Sequence, residues 1–254
     1  MTYPIIEFDK DKGIISPEYM IETGKIPTNC ILCFFPDVYS LLEKHFQLQK
    51  KVYLSSPLGK HTIYVIIHKN VIFSVFNPGL GGPMAAGFLE ELIALGARKF
   101  VLCGSAGVLI NIAFGTIILP SFAIRDEGTS YHYLSASEKI LIHSSWRKKI
   151  FKYFKKYNIN FIEGGTWTTD AIYRETAERK KRRMKQGCIC VDMEVASLEA
   201  VSQFRKVDFV PVLFSGDMLS NEWDSRNWKS GVHSQIALFQ LCCDFIGDIQ
   251  NDMD

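Results

Sequence analysis

Residues 101–109 read VLCGSAGVL. An apolar run of strand character, Phe100–Cys103, meets four small residues, Gly104-Ser105-Ala106-Gly107, and the chain then turns apolar again. As a strand followed by a glycine-flanked turn, the stretch would present backbone N–H groups and a hydroxyl to an anion. No Lys or Arg lies between Lys99 and Arg125. The same residues therefore also read as a tight turn between two packed elements.

Outward from this stretch, apolar strand-like runs recur at residues 30–35, 62–68, 71–77, 116–125, 188–193 and 209–215. Helical periodicity separates several of them. Pro83 fits the first position of a helix over 84–95, and further helices are expected over 137–157, 176–186, 194–204 and 232–249. Strands alternating with helices imply an α/β sandwich with a mixed or mostly parallel sheet, in which ligands gather at the carboxyl ends of strands. A chain of 254 residues, 47% hydrophobic and without a marked linker, reads as one domain over 1–254, with 1–28 and 220–254 as peripheral segments.

A net charge of +2 with no basic stripe argues against nucleic acid as the main partner. The Lys180–Arg183 run reads as a solvated helix face. No stretch approaches a membrane span or a signal peptide, and seven scattered cysteines in apolar runs imply buried thiols in a reducing, cytoplasmic setting. Cys30 and Cys33 form a C-x-x-C on an expected strand, where residues three apart face opposite ways, so no metal site is expected.

Four segments carry chemistry. Asn77-Pro-Gly-Leu-Gly-Gly-Pro83 opens a helix after a strand; the third glycine of a dinucleotide fingerprint would fall at Met84, so a dehydrogenase is disfavoured. Arg125–Tyr133, RDEGTSYHY, reads as a substrate-facing loop or a self-capped turn. Asp126, Ser130 and His132 lie too close in sequence for a hydrolytic triad. Asp192-Met193-Glu194 and Ser215-Gly216-Asp217 place acids at two strand ends; Glu194 is equally explained as a favourable charge at a helix start. Two acids facing a glycine stretch suit cleavage of a ribosyl N-glycosidic bond. That reaction needs a carboxylate on the sugar hydroxyls, an acid for the leaving base, and a nucleophile on the opposite face. Glu194 suits the first role, Asp217 the second, and the GSAG stretch would hold phosphate or water.

Taken together, residues from about Cys30 to about Leu219 resemble the type I nucleoside phosphorylases, a family that includes purine nucleoside and uridine phosphorylases and methylthioadenosine/S-adenosylhomocysteine nucleosidases. Gly79–Pro83 resembles the family's early G-x-G-x-P turn, and Gly104–Gly107 its phosphate-contacting turn. Arg125–His132 is similar to a loop of the uridine branch, and Thr168–Tyr173 to a segment lining the base pocket. Met193-Glu194 resembles the ribose-binding pair, and Asp217 stands where purine-cleaving members keep the general acid. The resemblance implies a three-layer α/β/α fold around a mixed, partly barrel-like sheet, assembled as a dimer, trimer or hexamer. It also implies a phosphate site at Gly104 and Ser105, where Arg125, Arg174 or His132 would supply the cation, and base contacts at Thr169, Ile172, Tyr173, Arg174 and Asp217. No cofactor is expected beyond inorganic phosphate as co-substrate.

The departures are specific. The family's Gly-Asp-Pro-x-Arg phosphate motif is here Phe34-Phe-Pro-Asp-Val38, and the second phosphate arginine falls at Leu102. The base-stacking aromatic falls at Ile172, and the uracil-reading glutamine and arginine at Thr176 and Glu178. The first expectation is therefore phosphorolysis of a purine-leaning nucleoside. Hydrolysis, uridine-type activity and non-catalytic nucleoside binding stand as alternatives. Trp223 and Trp228 are either a lid or a packed loop.

Overall fold

In the computed structural model, which describes residues 4–19, 21, 25–57, 59–220, 222–227 and 231–251, the expected GSAG turn is absent. Residues 99–108 form one unbroken strand. Side-chain alternation explains it: Phe100, Leu102, Ala106 and Val108 join one core, while Val101 and Cys103 join another. The small residues are extended backbone, packed where neighbouring strands crowd in.

The chain forms β1 (Asn29–Cys33), α1 (Val38–His45), β2 (Gln47–Ser56), β3 (Gly59–His68), β4 (Val71–Phe76), α2 (Gly82–Ala94), β5 (Lys99–Val108) and β6 (Ile117–Asp126). It continues with β7 (Lys139–Leu141), α3 (Ser145–Lys156), β8 (Phe161–Thr169), α4 (Ala177–Lys185), β9 (Cys188–Asp192), α5 (Val195–Arg205), β10 (Asp208–Leu219), β11 (Trp223–Asp224) and α6 (Val232–Asn251). The helix expected over 137–157 is shorter than its pattern, because its first residues pair with β6 as β7.

All the described strands join one mixed sheet, in the order β11-β10-β6-β8-β9-β5-β1-β4-β3-β2, with β7 on β6. Strand β10 pairs with β6 and also, in parallel, with β5. Strands β5, β10, β6, β8 and β9 thereby close a ring, and β1, β4, β3 and β2 extend it as an open sheet. This is the mixed, partly barrel-like sheet expected. One core lies between the sheet and α2 with α5; the second lies between it and α1, α3 and α6. Segment 220–254 is not wholly peripheral, since α6 buries Leu238, Phe239, Cys242, Cys243, Phe245 and Ile246 in the second core. Cys30 and Cys33 point into different cores, as the strand spacing requires.

Helix α5 carries an unusual charge. Glu199 is only 2% exposed; Gln203 Nε2 donates to its Oε1 at 2.7 Å, and its Oε2 has no partner among the described residues. Burial pushes this carboxyl up to about 8. The unfolded chain releases the proton near the ordinary glutamate value, so Glu199 contributes stability at low pH that is lost as pH rises through about 8. Glu199→Gln, neutral throughout, should therefore gain on the parent in urea midpoint between pH 5 and pH 8.5. A constant difference across that range contradicts the assignment.

Candidate active site

The site begins where β9 runs into α5. Asp192 is buried at that junction, and its Oδ1 accepts the N–H groups of Glu194 at 2.8 Å and Val195 at 2.7 Å. The Thr166 and Thr168 hydroxyls of β8 donate to the same carboxylate. Burial raises the Asp192 carboxyl, and these hydrogen bonds pull against that rise. Asp192 thus satisfies the first two N–H groups at the helix start, the capping role that Glu194 was equally able to fill on sequence grounds.

Glu194 is left with other work. It is 8% exposed, and its Oε1 accepts the N–H of Gly81 at 2.7 Å. Gly81 has a φ of 90°, a conformation that favours glycine, and it stands at the start of α2. The turn is braced because the Gly79 N–H donates to Asn77 Oδ1 at 3.0 Å. Burial first, and then the Asp192 charge, push the Glu194 carboxyl up to about 8, against the pull of the Gly81 N–H. Met193 lies half-buried between the two acids.

Asp217 is placed by a β-bulge. The parallel register of β10 on β5 runs to Ser215 opposite Ala106 and resumes with Met218 opposite Val108. Gly216 and Asp217 therefore share the space opposite Gly107, which re-aims the Asp217 side chain. A Cβ at Gly107 would stand 3.5 Å from Asp217 Oδ1 and 3.0 Å from Val191 of β9, so three strands converge there. Ser105 is exposed beside the bulge, its Cβ 3.6 Å from where a Cβ of Gly216 would be; Gly104 is buried. Trp223 Nε1 donates to Asp217 Oδ2 at 2.7 Å. Glu175 is half-buried, and burial together with the Asp217 charge push its carboxyl up to about 7.

The other expected residues divide. Arg125 is buried, and its guanidinium is spent on its own loop. Nε donates to Ser130 Oγ, Nη1 to Ser135 O and Ser137 Oγ, and Nη2 to Leu134 O, at 2.7–3.0 Å. Glu127 locks that loop to α5, accepting Ser130 N–H at 2.9 Å and the Ser197 hydroxyl at 2.7 Å. His132 is exposed at the end of the turn Thr129–His132. Asp126 faces away from Ser130, bonding Trp167 Nε1 and Arg183 Nη2, so no Asp-Ser-His triad forms. Thr169 is buried, with its Oγ1 accepting the Ala171 N–H at 3.3 Å. Ile172, Tyr173 and Arg174 project to solvent on a short turn, Tyr173 being 95% exposed. Val38 and Leu102, at the family's arginine positions, are buried in the two cores. Of the two tryptophans weighed as a lid, Trp228 lies outside the described residues.

The sequence pattern of the Phosphorylase superfamily matches residues 28–242. The chain belongs to that superfamily. Relatives include a DeoD-type purine nucleoside phosphorylase of Buchnera aphidicola (subsp. Schizaphis graminum), 26% identical over 186 residues that cover 69% of this chain and 76% of that one. A uridine phosphorylase of Thermococcus kodakarensis is 32% identical over 107 residues, 42% of this chain and 39% of that one. The crystal structure of uridine phosphorylase from Vibrio fischeri superposes with a TM-score of 0.74 at 20% identity, covering 90% of this chain and 93% of that one, which shows the shared fold.

Sequence reasoning missed the Asp217–Trp223 bond, the Glu175–Asp217 proximity and the anchoring of Glu194 by Gly81. The sequence signals were an acid beside the base segment and a tryptophan six residues past Asp217. The seat of α2 on α5 is the most testable element. A Cβ at Gly82 would collide with Ser197 Oγ. Gly82→Ala should cost about 1–3 kcal/mol by overpacking, read from urea unfolding; an unchanged midpoint contradicts this packing.

Proposed function

We propose that this enzyme cleaves the N-glycosidic bond of a purine nucleoside, with Glu194 holding the ribose hydroxyls and Asp217 protonating the leaving base. The observation that carries the reading is the division of labour at the β9–α5 junction. Asp192 satisfies the helix, so the Glu194 carboxyl is free to turn toward Gly81 at a strand end shared with Gly107 and the Asp217 bulge. In the reaction, the bond from C1′ to the base nitrogen breaks with its electron pair leaving on the base. The Asp217 proton passes to the base, and C1′ accepts an oxygen from the nucleophile beside Ser105. Inorganic phosphate is the proposed nucleophile, in keeping with the superfamily. The uracil-reading alternative is weakened because Thr176 Oγ1 caps α4, accepting the Arg179 N–H at 3.3 Å, and Glu178 is exposed.

Hydrolysis is the second reading, favoured by one observation. The two family arginine positions are apolar and buried, and the Arg125 donors are already engaged. Around the site Leu80 and Tyr173 expose apolar surface, which supports a homo-oligomer whose neighbouring copy covers it. Seven buried free thiols support a cytoplasmic setting. Among the described residues no helix is long and apolar enough to cross a membrane.

A nucleoside panel incubated with and without phosphate should release purine base together with ribose 1-phosphate. Free ribose formed at the same rate without phosphate would establish the second reading, and no base release from any nucleoside would contradict both. Asp217→Asn should lower kcat for purine nucleosides by about 10²-fold or more, the scale of a lost general acid. Glu194→Gln should raise KM as well as lower kcat, and parent-like kinetics would remove it from the ribose site.

A further inference from the structure

Asp217 is held by a side chain outside the motifs that brought it to notice. Strand β11 returns antiparallel on the end of β10, with Leu219 opposite Trp223 and Met218 opposite Asp224. That short hairpin lays the Trp223 indole back over the bulge, where Nε1–H donates to Asp217 Oδ2 at 2.7 Å. The indole N–H is a donor only, so Oδ2 is fixed as an acceptor. The remaining oxygen, Oδ1, lies over Gly107, where the missing side chain leaves room. Trp223 is itself 65% exposed, so the fold does not need its bulk. A large aromatic left in solvent whose one polar atom grips a carboxylate is poorly explained by packing.

We propose that Trp223 is the positioning residue of the general acid: its indole N–H holds Asp217 Oδ2 and thereby assigns Oδ1 to carry the proton to the leaving base. This rests on Asp217 being the acid. Without the indole, the carboxyl rotates about χ2 and its two oxygens exchange roles, so the proton is presented in the productive direction for only part of the time. The loss falls on the chemical step and spares binding. Glu175, half-buried, brings a second carboxyl within electrostatic range of Asp217.

The test compares Trp223→Phe, which keeps an aromatic ring and removes the N–H, with the parent on two substrates. One is an ordinary purine nucleoside, which needs protonation to leave. The other is an N7-methylated purine nucleoside, whose leaving base is already cationic. The expected result is a kcat about tenfold lower on the first with KM within about twofold, and near-parent kcat on the second. In an Asp217→Asn background the same change should have no further effect on kcat. Equal losses on both substrates, or full additivity with Asp217→Asn, would overturn the assignment. A second readout needs no turnover: the Trp223 indole N–H resonance of the 15N-labelled protein should shift in Asp217→Asn. An indole signal indifferent to Asp217 overturns the positioning role even if the enzyme's substrate proves to be something else. Cleavage of neither substrate by the parent would instead count against Asp217 as the acid for purine release.

Discussion

One buried carboxylate organises this molecule's working end. Asp192 accepts two backbone N–H groups from the start of α5 and two hydroxyls from β8, joining helix, strand and neighbouring strand at a single point. A charge so deeply buried is tolerable only because each of its lone-pair directions finds a donor. The Thr168 hydroxyl that donates to it also accepts the Ala196 N–H at 3.0 Å, so a further free N–H of the first turn is satisfied through the same group. With the helix start satisfied from behind, Glu194 need not cap its own helix. Its carboxyl is released toward Gly81, and burial makes that position costly enough to imply a use.

Closure of the sheet supplies the rest. Because β10 pairs with β5 on one side and β6 on the other, the ends of β5, β9 and β10 are drawn together in a way that an open sheet would not achieve. The cost of that closure is taken up at Gly107 and the Gly216–Asp217 bulge, where three strands leave no room for a side chain on β5. The bulge that accompanies ring closure is thus also the feature that aims the Asp217 side chain. Trp223 then selects between the two carboxyl oxygens that the bulge presents.

Much of this was legible in the sequence, for identifiable reasons. Helices with strong periodicity, such as α2 after Pro83, and strands with continuous apolar runs, such as β1 and β4, read correctly within a few residues. Strand β8 did not, because Gly164 and Gly165 look like a turn. In fact they are strand residues flattened against Ile189 and Phe122, where added side chains would collide. Strand β2 was hidden by its polar, exposed character at the sheet edge. The GSAG stretch failed for a related reason: small residues signal either a turn or a crowded strand, and only the ring closure decides between them. The acids Glu194 and Asp217 were legible as types at strand ends. Their partners were not, since Gly81 and Trp223 reach them through tertiary packing. The Lys180–Arg183 run was read as fully solvated, yet Arg183 turns inward to Asp126 at 2.8 Å.

Glu194 and the Asp217 bulge are proposed to flank one nucleoside, sugar on the first and base on the second. A crystal structure of the protein with a purine C-nucleoside, whose carbon–carbon glycosidic bond resists cleavage, measures this directly. Ribose hydroxyls are expected within hydrogen-bond distance of Glu194 and a base nitrogen within hydrogen-bond distance of Asp217 Oδ1, with Trp223 still on Oδ2. A nucleoside bound with its sugar away from Glu194, or its base away from Asp217, would contradict it.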